Sequence, residues 1–231
     1  MWYIFGMREI LKKTEIELSE ATKESIRLIQ KEIEKIVSED IKEFTYQAFG
    51  EVDPKFWVAP ASSSGKYHPA EDNGEGGLVR HVYKGCAVIE QTAKRERFSQ
   101  READIARSAF LLHDTCKDGI VWSSGKTDYT HGLIAAKWLE KFDLQDQTAK
   151  EQILNAVRYH MAPWCYAVSP FEDRQYTQQE MLSNLNEMAR AMYPTRAEQA
   201  VRDADYWSSR ESMSFFPGVS VDYRHDLPSA D

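Results

Sequence analysis

This sequence predicts an all-α protein, on three observations. Apolar residues recur at helical spacing almost throughout the chain. Tetrads of the form S/T-x-x-E, each followed by an apolar run, mark helix starts. No stretch alternates apolar and polar residues as a half-buried strand would, and no internal repeat breaks the chain into equal units.

The elements follow in order. Ile26, Ile29, Ile33, Ile36 and Val37 form one apolar stripe among lysines and glutamates, and Ile41, Phe44 and Ala48 continue it before Gly50. Residues near 14 to 49 therefore read as two amphipathic helices that pack on the main domain. A loop rich in Pro, Ser, Gly and Asn runs from Asp53 to Gly77, a length that implies a function of its own. A helix opens after Gly76-Gly77, and capping boxes at Ser99-Glu102, Thr148-Glu151, Thr177-Glu180 and Thr195-Glu198 announce four more. Turn-rich stretches from Asp118 to Asp128 and from Pro163 to Tyr176 separate them. Met181, Leu182, Leu185, Met188 and Met192 keep helical spacing and read as core. After Arg210 periodicity stops, which predicts an irregular tail. The expected organisation is an N-terminal helical extension over residues 1–52, a main domain over 53–210 and a tail over 211–231.

Composition limits function. A chain of 231 residues with 42% hydrophobic residues supports one large core. Its formal net charge of −8 argues against a protein that grips long nucleic acid by bulk electrostatics, since phosphate contacts need a basic footprint. A small anionic substrate remains compatible with that charge. Cys86, Cys116 and Cys165 are odd in number and show no zinc-type spacing, which predicts a reduced, cytoplasmic protein without disulfides. The apolar start Met1-Trp2-Tyr3-Ile4-Phe5-Gly6-Met7 is too short to span a bilayer and lacks a basic leader, so no membrane partner is expected.

The residues that carry chemistry are histidines and aspartates beside apolar helical runs. His113-Asp114 closes the run from Ile105 to Leu112; His81, His131, His160 and Asp205 lie before and after it. A single histidine in such a place is more often a hydrogen-bonded core residue than a ligand. Four of the six histidines in this position, with two aspartates, reverse that preference. The set suits a divalent transition ion, Mn, Fe, Co, Ni or Zn, bound between helices. His225-Asp226 repeats the doublet in the tail without an apolar helical setting and reads as chance.

Three segments, "GGLVRH", "LLHDTCK" and "ADYWSSR", resemble the H…HD…D signature of the HD superfamily of metal-dependent phosphohydrolases over roughly residues 55 to 210. With "APASSSGKYHPAEDNGEGGLVRH" and "RYHMAPW", the resemblance is greatest to the HD domain of bacterial 3′-to-5′ exoribonucleases, whose nucleic-acid-binding OB domain has no counterpart here. The resemblance implies an HD-domain helical bundle and one metal held by His81, His113, Asp114 and Asp205. His131 and His160 match positions that let some members hold a second ion, whereas minimal members use one, so one or two ions are implied; with two, Asp114 would bridge them at a separation of about 3.5–4 Å. Lys117 matches the lysine of the family's HDxxK, a point charge for the phosphate.

The expected activity is hydrolysis of a phosphoester in a nucleotide or short oligonucleotide by a metal-activated water, with Asp114 and Lys117 as the catalytic residues. Alternatives from other classes are an HD-fold di-iron oxygenase acting on a small polyol or phosphonate, a 3′-to-5′ exonuclease on single strands, and a non-catalytic metal-stabilised binding module. The stretch Ser62-Ser63-Ser64-Gly65-Lys66-Tyr67-His68 lacks the spacing of a Walker A loop. As a loop over the site it would bring Lys66 or His68 to a substrate phosphate, and Arg80 is a third candidate substrate contact.

Overall fold

The computed structural model describes residues 18–65, 68–161 and 193–210. Among them are seven α-helices and no strand: α1 (Glu20–Glu34), α2 (Glu39–Gly50), α3 (Gly77–Arg95), α4 (Gln100–Leu112), α5 (His131–Leu139), α6 (Gln147–Tyr159) and α7 (Arg196–Ser208). Two short 3-10 turns, Pro54–Trp57 and Ala70–Asp72, shape the loop before α3. The fold is all-α, as the periodicity predicts. The expected Thr177 capping box, the Met181–Met192 stripe, Cys165, Lys66 and the tail doublet lie outside the described residues.

The central element is α4. Every residue from Asp104 to Leu112 is buried, because the run is apolar around most of its circumference and packs against α1, α2, α3, α6 and α7. Ser99 starts it with a complete capping box: its hydroxyl accepts from the Glu102 N–H, and the Glu102 carboxylate accepts from the Ser99 N–H. Thr195 and Glu198 form the same box at α7. The expected box at Thr148 is not the start of α6; the helix begins at Gln147, and the Asp146 carboxylate caps it by accepting from Ala149 N–H.

Helices α1 and α2 contribute to the same core as the rest. Ile26, Ile29, Ile33, Ile41 and Phe44 are fully or almost fully buried in one continuous apolar cluster with Val79, Phe110 and Val201. Burial of each such side chain contributes on the order of 1.5–3 kcal/mol. Helix α3 crosses α4 closely at Gly85, where a Cβ would stand 1.9 Å from Phe110 Cζ. This crossing brings His81, one turn into α3, beside the end of α4 that carries His113. Among the described residues no helix is long and apolar enough to cross a membrane.

Candidate metal centre

Six side chains from five places in the chain converge in the interior. His81 comes from α3, His113 and Asp114 from the end of α4, His131 from the start of α5, His160 from the end of α6, and Asp205 from α7. All four histidines are at most 4% exposed and Asp114 is 1% exposed, so these polar groups can be stable there only if they bind something.

The geometry divides around Asp114. Its Oδ1 lies 2.9 Å from His131 Nε2 and 3.8 Å from His160 Nε2. Its Oδ2 lies 3.4 Å from His113 Nε2 and 3.9 Å from His81 Nε2. Asp205 Oδ1 closes the second group, 3.2 Å from His81 Nε2 and 3.6 Å from His113 Nε2. The ligand atoms of His81, His113 and Asp114 lie within 4.8 Å of one another, as do those of Asp114, His131 and His160 and, across the two groups, those of His113, His160 and Asp205, and each trio could hold a metal ion.

The opposite face of each imidazole fixes which nitrogen is free. His113 Nδ1 donates to Phe110 O at 2.6 Å, His131 Nδ1 to Asp128 O at 2.6 Å and His160 Nδ1 to Val157 O at 2.7 Å. A carbonyl only accepts, so the proton is on Nδ1 and the neutral ring presents its Nε2 lone pair to the cluster. His113 and His160 follow the last residues of α4 and α6, where carbonyls lack helical partners and the negative end of the helix favours a cation. At His81 the acceptor is Ser208 Oγ, 3.0 Å from Nδ1, whose own proton goes to Asp205 O at 3.3 Å. Ser208 was not among the sequence candidates.

This arrangement fits a metal ion. Nε2 of His81 and of His113 are buried without a completed hydrogen bond, which is the condition of a ligand atom. The electrostatics agree. Burial pushes the pKa of Asp205 up, but the close approach of the His113 and His81 rings outweighs it and holds the carboxyl well below its ordinary range. Burial opposes ionisation of Asp114 as well, and the charges of Lys117 and His113 lead the groups that overcome it. Burial lowers the pKa of His113, but the adjacent Asp114 and Asp205 carboxylates outweigh it and raise the pKa, a negative field that would equally favour a cation at Nε2 of the neutral ring. Burial, followed by His113 and His131, drives His160 down to about 3 and keeps it neutral, as a ligand must be.

The remaining candidates are distributed as follows. Lys117 Nζ donates to Asp114 Oδ2 at 2.6 Å. His68 reaches the cluster from the loop, its ring centroid 4.7 Å from that of His81, and burial with the charges of His81 and Lys117 lowers its pKa to about 3. Arg80 is 3% exposed and its guanidinium donates to Glu75 O at 2.8 Å and Glu71 O at 2.6 Å, tying the loop to α3. Beside it, buried Lys84 donates to buried Asp72 at 2.8 Å, another loop-to-helix tie that the sequence did not single out.

A helical bundle enclosing a histidine and carboxylate cluster of this kind defines a class of metal-centre protein. A protein-family model described as HD domain matches residues 78–209, more than half of the chain, and the chain belongs to that family. Its members are generally metal-dependent hydrolases that bind divalent metals. No curated protein and no solved structure gave a significant match.

Proposed function

We propose that this protein hydrolyses a phosphoester of a nucleotide or short oligonucleotide, as the exoribonuclease-type HD domains that its sequence resembles do. The observation that carries the reading is the division of Asp114: one oxygen faces His131 and His160, the other faces His81, His113 and Lys117. A carboxylate so placed would serve as ligand to both histidine groups if each held a cation.

Divalent ions held by these residues would supply Lewis acidity toward a phosphoryl oxygen and lower the pKa of a water. The chain supplies the rest. Four Nε2 lone pairs and two carboxylates would hold the ions, and the Nδ1 hydrogen bonds keep each ring in the ligating tautomer. Asp114 stays ionised and so acts as ligand rather than proton donor. Lys117 adds a point charge beside it for a phosphate oxygen. Burial of the cluster keeps these interactions strong by excluding bulk water. Cys86 and Cys116 are buried free thiols, which supports a reducing, cytoplasmic setting.

The test is a screen of the metal-loaded protein against nucleoside mono-, di- and triphosphates, cyclic dinucleotides and short single strands, reading phosphate, pyrophosphate and nucleoside release. Asp114→Ala should lose both metal and turnover while its helical circular dichroism persists. His160→Ala should lose about one equivalent of metal, because Asp114 and His131 alone leave that group incomplete. Wild-type metal content in both variants would refute the ligand assignment. Oxygen uptake by a mixed-valent iron pair, without phosphoester cleavage, would replace hydrolysis with the oxygenase reading.

A further inference from the structure

The tripeptide Ser-Ser-Gly followed by Lys occurs twice, at Ser63 to Lys66 and at Ser123 to Lys126. In the structure the two turns meet. Gly65 and Gly125 each have φ of 67°, a left-handed turn conformation that glycine adopts without strain. Ser63 Oγ lies 3.3 Å from Thr127 Oγ1 and accepts from Thr127 N–H at 3.3 Å. Between them is a cavity of about 470 Å³, within the range of small-molecule sites, with Ser63, Ser123, Ser124 and Thr127 among its lining residues.

Three lysines line the same cavity, Lys55, Lys117 and Lys126, in a chain of net charge −8. An ammonium has three donors. Lys55 donates one to Trp122 O at 2.6 Å, and Lys117 donates one to Asp114 Oδ2 at 2.6 Å. Lys126 is exposed at the turn. The carboxylate on this wall, Asp118, accepts from Ser124 Oγ and from Gly125 N–H, so it braces the turn. Asp53, next to the wall, accepts likewise from Trp122 N–H and Lys55 N–H. The cavity therefore presents three ammonium groups and the serine and threonine hydroxyls beside one lining carboxylate, Asp118, whose bonds to Ser124 and Gly125 are made within its own turn. Lys117 belongs both to this wall and to the metal centre, which places the two sites side by side.

We propose that this cavity binds a second phosphate of the substrate. The preferred substrate then carries two phosphate groups, one presented to the metal centre past Lys117 and one held by Lys126, Lys55 and the serine hydroxyls. The proposal rests on the phosphoester reading for what the second phosphate is attached to. A nucleoside bisphosphate and the next phosphodiester of a short strand offer the same chemistry here.

Calorimetric titration of the metal-loaded full chain tests this with non-hydrolysable methylenephosphonate analogues of AMP, adenosine 3′,5′-bisphosphate and the dinucleotide pApA. The bisphosphate should bind roughly tenfold more tightly than AMP, the worth of one charge-assisted phosphate contact. Lys126→Ala should abolish most of that margin and Lys126→Arg should keep it. The tighter of bisphosphate and pApA names the source of the second phosphate. Equal binding of AMP and bisphosphate, or an equal loss for both in Lys126→Ala, would overturn the assignment. If the protein cleaves no phosphoester but shows the margin, the hydrolase reading fails and the cavity assignment stands. Cleavage without the margin sinks only the cavity.

Discussion

Ser208 joins the two halves of one ligand group: it accepts from His81 Nδ1 and donates to the carbonyl of Asp205. Removing its hydroxyl leaves a fully buried Nδ1–H without an acceptor and frees His81 to rotate or change tautomer. Ser208→Ala should therefore weaken metal affinity by about 10–100-fold with the helix content unchanged. Competition with a chromophoric chelator measures this, and an affinity within twofold of wild type would show that His81 is positioned by packing alone. The six ligand candidates were legible in the sequence because each stands at the edge of an apolar helical run. Ser208 was not. It is one of two adjacent serines, and the hydroxyl of the other, Ser209, donates to the Tyr206 carbonyl. The helical phase that turns Ser208 toward His81 depends on how α7 packs against α3, which no local pattern records.

At the scale of elements, the contact between α5 and α6 sets the second ligand group. Gly132 follows His131, and a Cβ there would stand 2.9 Å from Val157 O, 3.0 Å from Arg158 O and 3.1 Å from His160 Cε1. Val157 O is the acceptor that orients His160. In an exposed helix Gly→Ala stabilises by roughly 0.5–1 kcal/mol. Here the added methyl must push backbone apart, so Gly132→Ala should destabilise by about 1–3 kcal/mol and lower metal content by about one equivalent. Urea unfolding and metal analysis read the two effects; a stabilised variant would show that the helices have room to part. Helix starts were partly legible. The tetrads at Ser99 and Thr195 are true capping boxes because no stronger cap precedes them. At Thr148 the same pattern misleads, since Asp146 lies two residues earlier and its ionised carboxylate takes the Ala149 N–H and an ion pair with Arg101. Arg80 illustrates the other limit. Its place beside His81 in the sequence suggests a substrate contact, yet one helical step turns it onto the loop carbonyls of Glu71 and Glu75.

Across the whole molecule, α4 links the N-terminal helices to the metal centre. Arg107, midway along it, bonds the Glu32 carboxylate of α1, and both side chains are at most 10% exposed. Lys35 Nζ also reaches Glu32 at 2.6 Å, and Glu90 lies 3.8 Å from the Arg107 guanidinium. Arg107→Ala would leave a buried carboxylate with only the half-exposed Lys35 as partner. Loss of one member of a buried pair typically costs about 3–5 kcal/mol, and the remaining lysine should reduce this to about 2–4 kcal/mol. Replacing both charges by leucine removes the stranded carboxylate and should recover most of the loss, since a packed apolar pair is often as stable as the ion pair. Metal content should stay at the wild-type level in both variants, because His113 and Asp114 lie at the far end of α4 and are held by Phe110 O, His131 and Asp205. Urea midpoints with metal analysis would decide the matter. A loss under about 1 kcal/mol in Arg107→Ala would mean that water already solvates the pair, whereas a fall in bound metal would show that the docking of α1 and the geometry of the centre are coupled through α4.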